Sequence, residues 1–325
     1  MRDVGLKADV TGTRLLRAAS DVAAERGLTV DALRGPGLID AVIERLLIHE
    51  SWFFRDPAQF AALTAEMLPT LPRPVHVWSV GCGQGQEAWS VAMALAESIG
   101  ADGWAVTATD LSGRALAAAD RGIYNTAQLR GLSDERRTRF LEQVGADEWT
   151  IVRSIRPLVS FVQHNVTARA RPVPAASCQV VLCRNVLMYL HDEGVAAALA
   201  SLGQAMTMGG WLMLGTAESL WGVTDAFEVV RVGEAYAYRQ AGGSPAVEGR
   251  VAALPSADAL VAQGASAASA GRHDEAATAF RQAAYLDPDR ADAHAGLAAA
   301  LEAVGDTRGA ARARGAARRL RGHGR

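Results

Sequence analysis

The sequence has few of the features that mark several common classes of protein. It contains three cysteines among 325 residues, and none of them forms a Cys-x-x-Cys pair or another spacing typical of a metal site. Lysine and arginine number 33 against 35 aspartates and glutamates, so the net charge of −2 gives no general attraction to nucleic acid. No apolar run approaches the roughly 18 residues of a membrane-spanning helix. We therefore expect no metal, no nucleic-acid partner and no direct membrane insertion.

The beginning of the chain also lacks a basic region followed by an apolar core, the pattern of a secretory signal peptide. Together with the unpaired cysteines, this predicts a cytoplasmic protein. About half of the residues are hydrophobic and 21% are charged, which is the composition of a packed domain. The length suits one large domain with a small one, or two domains of ordinary size.

The middle of the chain alternates short apolar runs with helical patterns. The expected buried strands are residues 75–80, 104–109, 180–183 and 211–214, and the expected helices are residues 86–98 and about 192–208. Residues 149–163 favour additional strands, with the best β segments at 150–152 and 159–162. Strands and helices in this order are typical of a doubly wound, mostly parallel sheet, so we predict an α/β fold of the Rossmann-like type.

These patterns divide the chain into four parts. Apolar residues at helical spacing between positions 10 and 50 predict helices at the N-terminus. The assigned boundaries are residues 1–60 for the N-terminal helical segment, 61–240 for the α/β domain with a small β insertion at about 140–163, 241–256 for a linker, and 257–325 for an alanine-rich helical tail.

The tail contains an internal repeat. GRHDEA, beginning at Gly271, is answered by GDTRGA, beginning at Gly305, and the two glycines are 34 positions apart. That is the period of a tetratricopeptide helix pair, and Phe280, Ala283 and Pro288 fall where its pattern has a matching residue. About two repeats are present, so we expect the tail to pack on the main domain or to bind a protein partner. An alanine-rich linker helix is the alternative interpretation.

A glycine loop follows the first predicted strand of the α/β domain. Gly81, Gly83 and Gly85 lie between a strand and a helix, where missing side chains let a ligand approach backbone N–H groups. A tight structural turn explains the same spacing. Asp110 ends the next strand, from which a carboxylate can reach the paired hydroxyls of a ribose. A solvated aspartate at a strand end is the alternative for this residue.

Six segments, in order, resemble the CheR-type chemotaxis methyltransferases, a family that methylates receptor glutamates with S-adenosylmethionine. The resemblance extends from about residue 50 to residue 239 and implies a class I methyltransferase sheet with a small β insertion. The segments are SWFFRD (51–56), VWSVGCGQGQEAWS (77–90), ATDLS (108–112), AADRGIY (118–124), CRNVLMY (183–189) and AESL (217–220).

The resemblance implies a set of residues for the cofactor and for the reaction. Arg55 and Tyr189 match residues beside the reacting groups, so we expect both to act in catalysis. Taken singly, each matching residue has an ordinary structural explanation, and their joint occurrence supports the assignment. The positions assigned to cofactor binding, together with the glycine loop, are Ser51, Arg55, Gly81, Gly83, Glu87, Asp110, Asn165, Val166, Asn185 and Val186.

The implied substrate is the glutamate side chain of a chemoreceptor or a related sensory protein. Its carboxylate is ionised near neutral pH, so no general base is needed to make it a nucleophile. Positioning and removal of water should supply the rate, and alignment alone can contribute roughly 7–11 kcal/mol. Arg55 and Tyr189 can orient a carboxylate by charge or hydrogen bond without donating a proton to it.

Two positions and one segment depart from the pattern of the family. His49 stands where relatives often have asparagine, so its contact with the cofactor is left open. Gln86 precedes Glu87 where a pair of glutamates is usual. Residues 143–148 lack the Gly-x-Gly turn that docks a receptor-tethering peptide in some relatives, so we predict no dependence on such a peptide.

Two other functions remain open on the sequence. A regulatory scaffold would bind S-adenosylmethionine and act through the tetratricopeptide-like tail, whereas a small-molecule methyltransferase would use the same cofactor fold. The joint presence of Arg55, Asp110, Asn185 and Tyr189 disfavours an inactive scaffold. The SWFFRD segment and the β insertion disfavour a small-molecule substrate.

Overall fold

A computed structural model describes residues 8–33, 36–46, 51–216, 218–220, 223–241, 257–287 and 289–322. The chain divides into two compact units: Met1–Leu214 with Val232–Val247, and Gly215–Arg231 with Glu248–Arg325. The strands are β1 (Val75–Val80), β2 (Trp104–Asp110), β3 (Ile123–Tyr124), β4 (Leu141–Gly145), β5 (Glu148–Ile151), β6 (Val159–Gln163), β7 (Cys178–Cys183), β8 (Met206–Leu214), β9 (Phe227–Val232) and β10 (Ala235–Gln240).

The α-helices lie before, between and after these strands. Within the described ranges, none of them has the length and hydropathy needed to cross a membrane. They are α1 (Ala8–Arg26), α2 (Pro36–Leu46), α3 (Pro57–Ala62), α4 (Gln86–Ser98), α5 (Gly113–Arg121), α6 (Asp134–Phe140), α7 (Asp192–Ala205), α8 (Ala257–Ser269), α9 (His273–Leu286), α10 (Ala291–Ala303) and α11 (Thr307–Gly322).

Among the described residues, seven strands form the main sheet, in the order β6-β2-β1-β7-β8-β10-β9. β1 pairs in parallel with β2 and β7, β2 pairs in parallel with β6, β7 pairs in parallel with β8, and β10 is antiparallel to β8. Val80 at the end of β1 lies opposite Thr109 of β2 and Cys183 of β7. The carboxyl ends of the three central strands therefore meet at one edge of the sheet, and the predicted α/β fold is confirmed.

The central strands and the helix after β1 are buried because their residues are almost all apolar. In β1, Val75, Val77, Trp78 and Val80 are each at most 3% exposed. Every residue of α4 from Ala88 to Ala96 is buried, as expected for a helix that is apolar on all sides. The loop between β1 and α4 is thus held at both ends by the core.

The β insertion differs from the predicted residues 140–163: it begins earlier, with β3 at Ile123, and ends earlier, with β5 at Ile151. It is an antiparallel sheet of order β3-β5-β4. β6 lies instead at the edge of the main sheet, paired with β2 from Val106 opposite Val159 to Asp110 opposite Gln163. Apolar β-branched residues favour a strand without specifying its partner, so the sequence pattern predicted the strand and the wrong sheet.

The helix predicted over residues 192–208 ends earlier in the structure. α7 stops at Ala205, and Met206 opens β8 with extended backbone angles of φ −70° and ψ 140°. Leu202, Ala205 and Met206 continue the apolar spacing of the helix, which is why the pattern ran past its end. Pairing of Met206 with Cys178 in the sheet overrides that local preference.

The N-terminal helices predicted from apolar spacing are present. α1 and α2 share a small buried cluster formed by Ala18, Ala19, Val22 and Val42. Arg45 of α2 also forms an ion pair with Glu25 of α1. His49, whose role the sequence left open, lies outside the described residues.

The helical tail comprises α8 to α11, with Phe280 of α9 at the centre of its apolar cluster. Phe280 packs against two glycines, because a Cβ at Gly264 would lie 3.0 Å from its ring and a Cβ at Gly296 only 2.4 Å from it. Gly271 and Gly305 both adopt positive φ after a helix, at equivalent points of the repeat. The linker residues 242–256 and Pro288 lie outside the described residues, and the tetratricopeptide assignment stays a prediction.

Candidate functional site

The glycine loop links the carboxyl ends of β1 and β2. The N–H of Gly81 donates to the carbonyl of Thr109 at 2.7 Å, and the N–H of Gly83 donates to Oδ2 of Asp110 at 2.8 Å. Gly81 and Gly83 have φ of 72° and 55°, which favours glycine at both positions. The loop is therefore tied to β2 at two successive points and presents its backbone at the edge of the sheet.

The segment after β7 packs directly on this loop. A Cβ at Gly81 would lie 2.3 Å from Cγ2 of Val186, so glycine is required there by a protein contact. Asn185, the preceding residue, has a φ of 60° and turns the chain out of β7. Two pairs of predicted positions, Gly81 with Gly83 and Asn185 with Val186, are thus brought together.

Asp110 is buried at the end of β2, with only 8% of its surface exposed, so it is not a solvated strand-end residue. Oδ2 accepts the N–H of Gly83 at 2.8 Å, and Oδ1 accepts the N–H of Ser112 at 2.9 Å. A carboxylate has about four acceptor positions, so these two bonds fix its orientation without using its capacity. The geometry suits a group that holds the hydroxyls of a ligand.

Glu87, in the first turn of α4, lies between two donors. The hydroxyl of Ser79 donates to Oε1 at 2.7 Å, and Nη1 of Arg184 donates to Oε2 at 3.1 Å. The carboxylate is therefore held by β1 on one side and by the end of β7 on the other. Its position in the first turn of a helix also favours a negative charge.

Arg184 is a central residue of the site that sequence reasoning did not single out. Its side chain is 2% exposed, and Nη2 donates to Oδ2 of Asp56 and to the carbonyl of Arg55, both at 2.7 Å. With Glu87, two carboxylates thus flank one buried guanidinium, which compensates its charge. A charged residue directly after the apolar strand β7 was the available signal.

The loop at residues 51–56 is anchored by two buried aromatic rings. Phe53 is fully buried and Phe54 is 5% exposed. The N–H of Phe54 donates to the hydroxyl of Ser90 in α4 at 2.9 Å. These contacts and the bonds from Arg184 set the place of Ser51 and Arg55, which are both half-buried.

Strained backbone is concentrated in the same loops. Phe54, Asp56 and Asn185 have φ of 50°, 61° and 60°, a region that L-residues other than glycine rarely adopt. Among the described residues, Ala176 is the one further non-glycine residue with positive φ. Such strain persists where the surrounding structure enforces it, and it is commonly found at functional sites.

Arg55 stacks on an aromatic ring next to the site. Its guanidinium carbon lies 4.5 Å from the ring centroid of Trp52, and that of Arg130 lies 4.3 Å from the same centroid. Cation–π contacts of this kind hold a guanidinium in place over the face of the ring. Arg55 therefore occupies a prepared, partly exposed position.

The remaining predicted residues lie on loops that follow β6 and β7. Tyr189 is half-buried in a short 3-10 helix, Leu187–Tyr189, directly after Val186. Asn165 and Val166 follow β6 at the point where the N–H of His164 donates to the carbonyl of Asp110 at 2.9 Å. Oδ1 of Asn165 also accepts the N–H of Thr167 at 3.0 Å, so Asn165 stabilises a turn in addition to any contact with a ligand.

A buried thiol and a buried phenol beside the glycine loop both keep their protons at neutral pH. Burial raises the pKa of the Cys82 thiol well above its usual value, and Asp110 and Glu87 raise that pKa further. Burial also raises the pKa of Tyr124, whose hydroxyl donates to the carbonyl of Gln84 at 2.7 Å. Tyr124 thus fixes the loop from the β insertion, a role that the sequence did not reveal. Within the described ranges, no group of three His, Cys, Asp or Glu side chains could hold a metal ion.

Comparison with known proteins agrees with this geometry. Residues 49–236 match the family "CheR methyltransferase, SAM binding domain". The chain is 32% identical over 208 residues to the chemotaxis protein methyltransferase of Vibrio parahaemolyticus, covering 61% of this chain and 75% of that protein. It is 33% identical over 215 residues to chemotaxis protein methyltransferase 1 of Pseudomonas aeruginosa, covering 62% and 78%. The chain therefore belongs to the CheR methyltransferase family and is a methyltransferase whose cofactor is S-adenosylmethionine.

Proposed function

We propose that the chain transfers the methyl group of S-adenosylmethionine to glutamate side chains of a chemoreceptor or a related sensory protein, forming glutamate methyl esters. Relatives named as chemotaxis protein methyltransferases support this substrate class. The observation that carries the proposal is the bridge made by Arg184. It joins Glu87, beside the glycine loop, to the loop that presents Arg55.

The residues at the edge of the sheet fit the cofactor. Asp110 keeps acceptor capacity for a pair of ribose hydroxyls, and the glycine loop lets an adenosine-bearing ligand lie close to the backbone. We assign binding of the cofactor to Asp110, Glu87 and the glycines of the loop. The other residues proposed to hold it are Ser51, Arg55, Asn165, Val166, Asn185 and Val186.

S-adenosylmethionine supplies a methyl group on a positively charged sulfur. The residues of the chain need not remove a proton, because a glutamate acceptor is already ionised at neutral pH. Arg55 provides a charge-assisted hydrogen bond that orients this carboxylate, and the hydroxyl of Tyr189 provides a second donor. Alignment and exclusion of water are thus the contribution of the protein, and alignment alone can be worth roughly 7–11 kcal/mol.

The test is transfer of a labelled methyl group. The full chain is incubated with methyl-labelled S-adenosylmethionine and membranes that contain a chemoreceptor. We expect label in the receptor, and we expect mild base to release it as methanol, because an ester is base-labile and an N-methyl group is not. A receptor with its acceptor glutamates replaced by glutamine should take up no label.

Two arginine variants sharpen this test. Arg55→Ala should lower turnover roughly 100-fold and lower the affinity for S-adenosylhomocysteine far less, because Arg55 is proposed to act mainly on the acceptor and only in part on the cofactor. Arg73→Ala removes the same charge from an exposed position before the start of β1, and it should change neither quantity. Label on a small molecule, base-stable label on protein, or equal loss of turnover and affinity in Arg55→Ala would contradict the proposal.

We also propose roles for the parts of the chain outside the catalytic domain. The helices α8 to α11 act as a tetratricopeptide-like pair of repeats that binds a protein partner and raises the local concentration of substrate. The internal 34-residue spacing between Gly271 and Gly305 supports this proposal. The reaction is proposed to take place in the cytoplasm, where the receptor glutamates would be accessible.

A further inference from the structure

A carboxylate from the N-terminal helices is bonded at the start of α5. Oε2 of Glu44, in α2, accepts the hydroxyl of Ser112 at 2.5 Å. Oε1 of the same side chain accepts the backbone N–H of Arg114 at 3.2 Å. Both carboxylate oxygens of Glu44 therefore accept hydrogen bonds from the start of α5, and Ser112 is 68 positions from Glu44 in the sequence.

Ser112 connects this carboxylate to the proposed cofactor site. It is fully buried, and its hydroxyl accepts the N–H of Ala115 at 2.9 Å, which caps α5. Its own N–H donates to Oδ1 of Asp110 at 2.9 Å. Ser112 is thus bonded to both carboxylates, to Glu44 through its hydroxyl and to Asp110 through its backbone N–H.

The contact has the character of a strong, charge-assisted interaction. An O–H donor at 2.5 Å from a carboxylate lies in the short range typical of an ionised acceptor. The N-terminus of a helix also attracts an anion, because its first N–H groups have no partner within the helix. Glu44 supplies that anion from a different element, so the bond joins α2 to α5 as well as stabilising α5.

The same bond joins the N-terminal helix pair to the start of α5. α2 is held to α1 by the cluster of Ala18, Ala19, Val22 and Val42, so Glu44 anchors a helix pair and not an isolated turn. Glu44 also precedes Ser51 by only seven positions in the sequence.

We infer that Glu44 is a positioning residue for the cofactor site: it holds Ser112, and through Ser112 the carboxylate of Asp110, in the orientation that binds S-adenosylmethionine. The inference rests on the proposed role of Asp110. By thermodynamic reciprocity, cofactor bound at Asp110 stabilises the docking of α1 and α2 by the same factor by which that docking favours the cofactor.

The experiment compares Glu44→Gln with Glu25→Gln in the full chain. Glu25 is an exposed residue of α1 that pairs with Arg45, so its variant weakens the helix pair without touching Ser112. The affinity for S-adenosylhomocysteine is measured by calorimetry. Hydrogen exchange of α1 is measured with and without this ligand.

We expect Glu44→Gln to raise the dissociation constant about tenfold, as loss of a charge-assisted bond would do. It should also abolish the slowing of α1 exchange by S-adenosylhomocysteine. Glu25→Gln should keep both properties. Combining Glu44→Gln with Ser112→Ala should add little to the loss of affinity, because the two side chains act in one chain of bonds.

Wild-type affinity in Glu44→Gln, or ligand-dependent protection of α1 that survives this change, would overturn the inference. The variant Asp110→Asn distinguishes a failure of this inference from a failure of the proposed cofactor site. If Asp110→Asn weakens binding and Glu44→Gln does not, only the role of Glu44 is wrong. If Asp110→Asn also binds like the wild type, the assignment of Asp110 itself fails.

Discussion

The carboxyl edge of the sheet and the helical tail are built from different kinds of buried residue. At the edge, Ser79, Asp110, Ser112 and Arg184 are all buried, and each has a charged or polar partner. In the described part of the tail, the buried residues are alanines, leucines and glycines around Phe280. Polar burial fixes the orientation of functional groups, whereas apolar burial supplies packing alone.

The charged residues of the two regions differ in the same way. The side chain of Arg184, which pairs with Asp56, is only 2% exposed. In the tail, the paired side chains of Arg314 and Glu302 are 44% and 62% exposed. Breaking a buried pair strands a charge in the interior, while a surface pair is replaced by water. Substitutions of the buried pairs at the edge should therefore affect activity and stability together, and substitutions of the surface pairs in the tail should affect at most local stability.

The largest effect is expected from Arg184→Met. The change leaves the carboxylates of Glu87 and Asp56 without their cation, and loss of one partner of a buried pair costs about 3–5 kcal/mol. Six of the seven tryptophans lie between residues 52 and 211, in the unit that contains the sheet edge, so denaturation followed by tryptophan fluorescence reports mainly on that unit. Turnover should fall to background in the same variant.

A variant with unchanged fluorescence transition and normal turnover would show that the bridge of Arg184 is not needed. Arg184→Lys keeps the charge without the planar fork of donors. We expect it to recover part of the stability and little of the turnover, because a lysine cannot bond Glu87, Asp56 and the carbonyl of Arg55 together.

Phe280→Ala tests the opposite region. Removing a buried phenylalanine costs about 3–5 kcal/mol, and Gly264 and Gly296, which contact the ring, have no side chains of their own to fill the cavity. Hydrogen exchange of α9 and α10 should accelerate strongly. The tryptophan transition and the affinity for S-adenosylhomocysteine should stay as in the wild type, and a change in either would show that the tail and the site are coupled.

The sequence predicted the framework of the sheet edge better than its polar contacts. β1 and α4 were predicted with the observed bounds, because an apolar run, three glycines and a second apolar run follow one another. Arg184 was missed since its partners Asp56 and Glu87 are 128 and 97 positions away. No local pattern encodes such pairs.

The same reasoning explains the other differences. The strand at residues 159–163 was predicted, but its place beside β2 depends on tertiary pairing that composition does not specify. Glu44 belongs to an amphipathic helix pattern in which an acidic residue is usually solvated, so its bond to Ser112 could not be foreseen. In the tail, by contrast, the 34-residue spacing of the repeat is visible in the sequence itself, and Gly271 and Gly305, which mark it, both adopt positive φ.

A smaller effect is expected from pH, again at the sheet edge. The Cys82 thiol keeps its proton in the folded chain, since burial raises its pKa, but loses it on unfolding near its ordinary pKa of 9.0. The unfolded chain then binds fewer protons, so the contribution of this thiol to the free energy of unfolding should be constant below about pH 8 and fall above about pH 9, by at most about 1.4 kcal/mol per pH unit. Urea titrations at pH 7 to 10 should give a shallower fall in Cys82→Ala than in the wild type. Parallel curves would assign the alkaline loss to other groups.

The smallest effect should come from the exposed ion pair of the tail. Arg314→Ala removes the partner of Glu302, and both side chains are already hydrated in the folded chain. A pair of this kind contributes about 0–1 kcal/mol, and the lost bond is offset because the arginine no longer has to be ordered. Exchange rates in α10 and α11 should thus change less than about fivefold, and they should approach the wild-type rates further in 0.5 M salt, since salt already screens the wild-type pair. A large, salt-resistant change would mean that this pair is buried against another surface in solution, and the contrast between a polar edge and an apolar tail would then no longer hold.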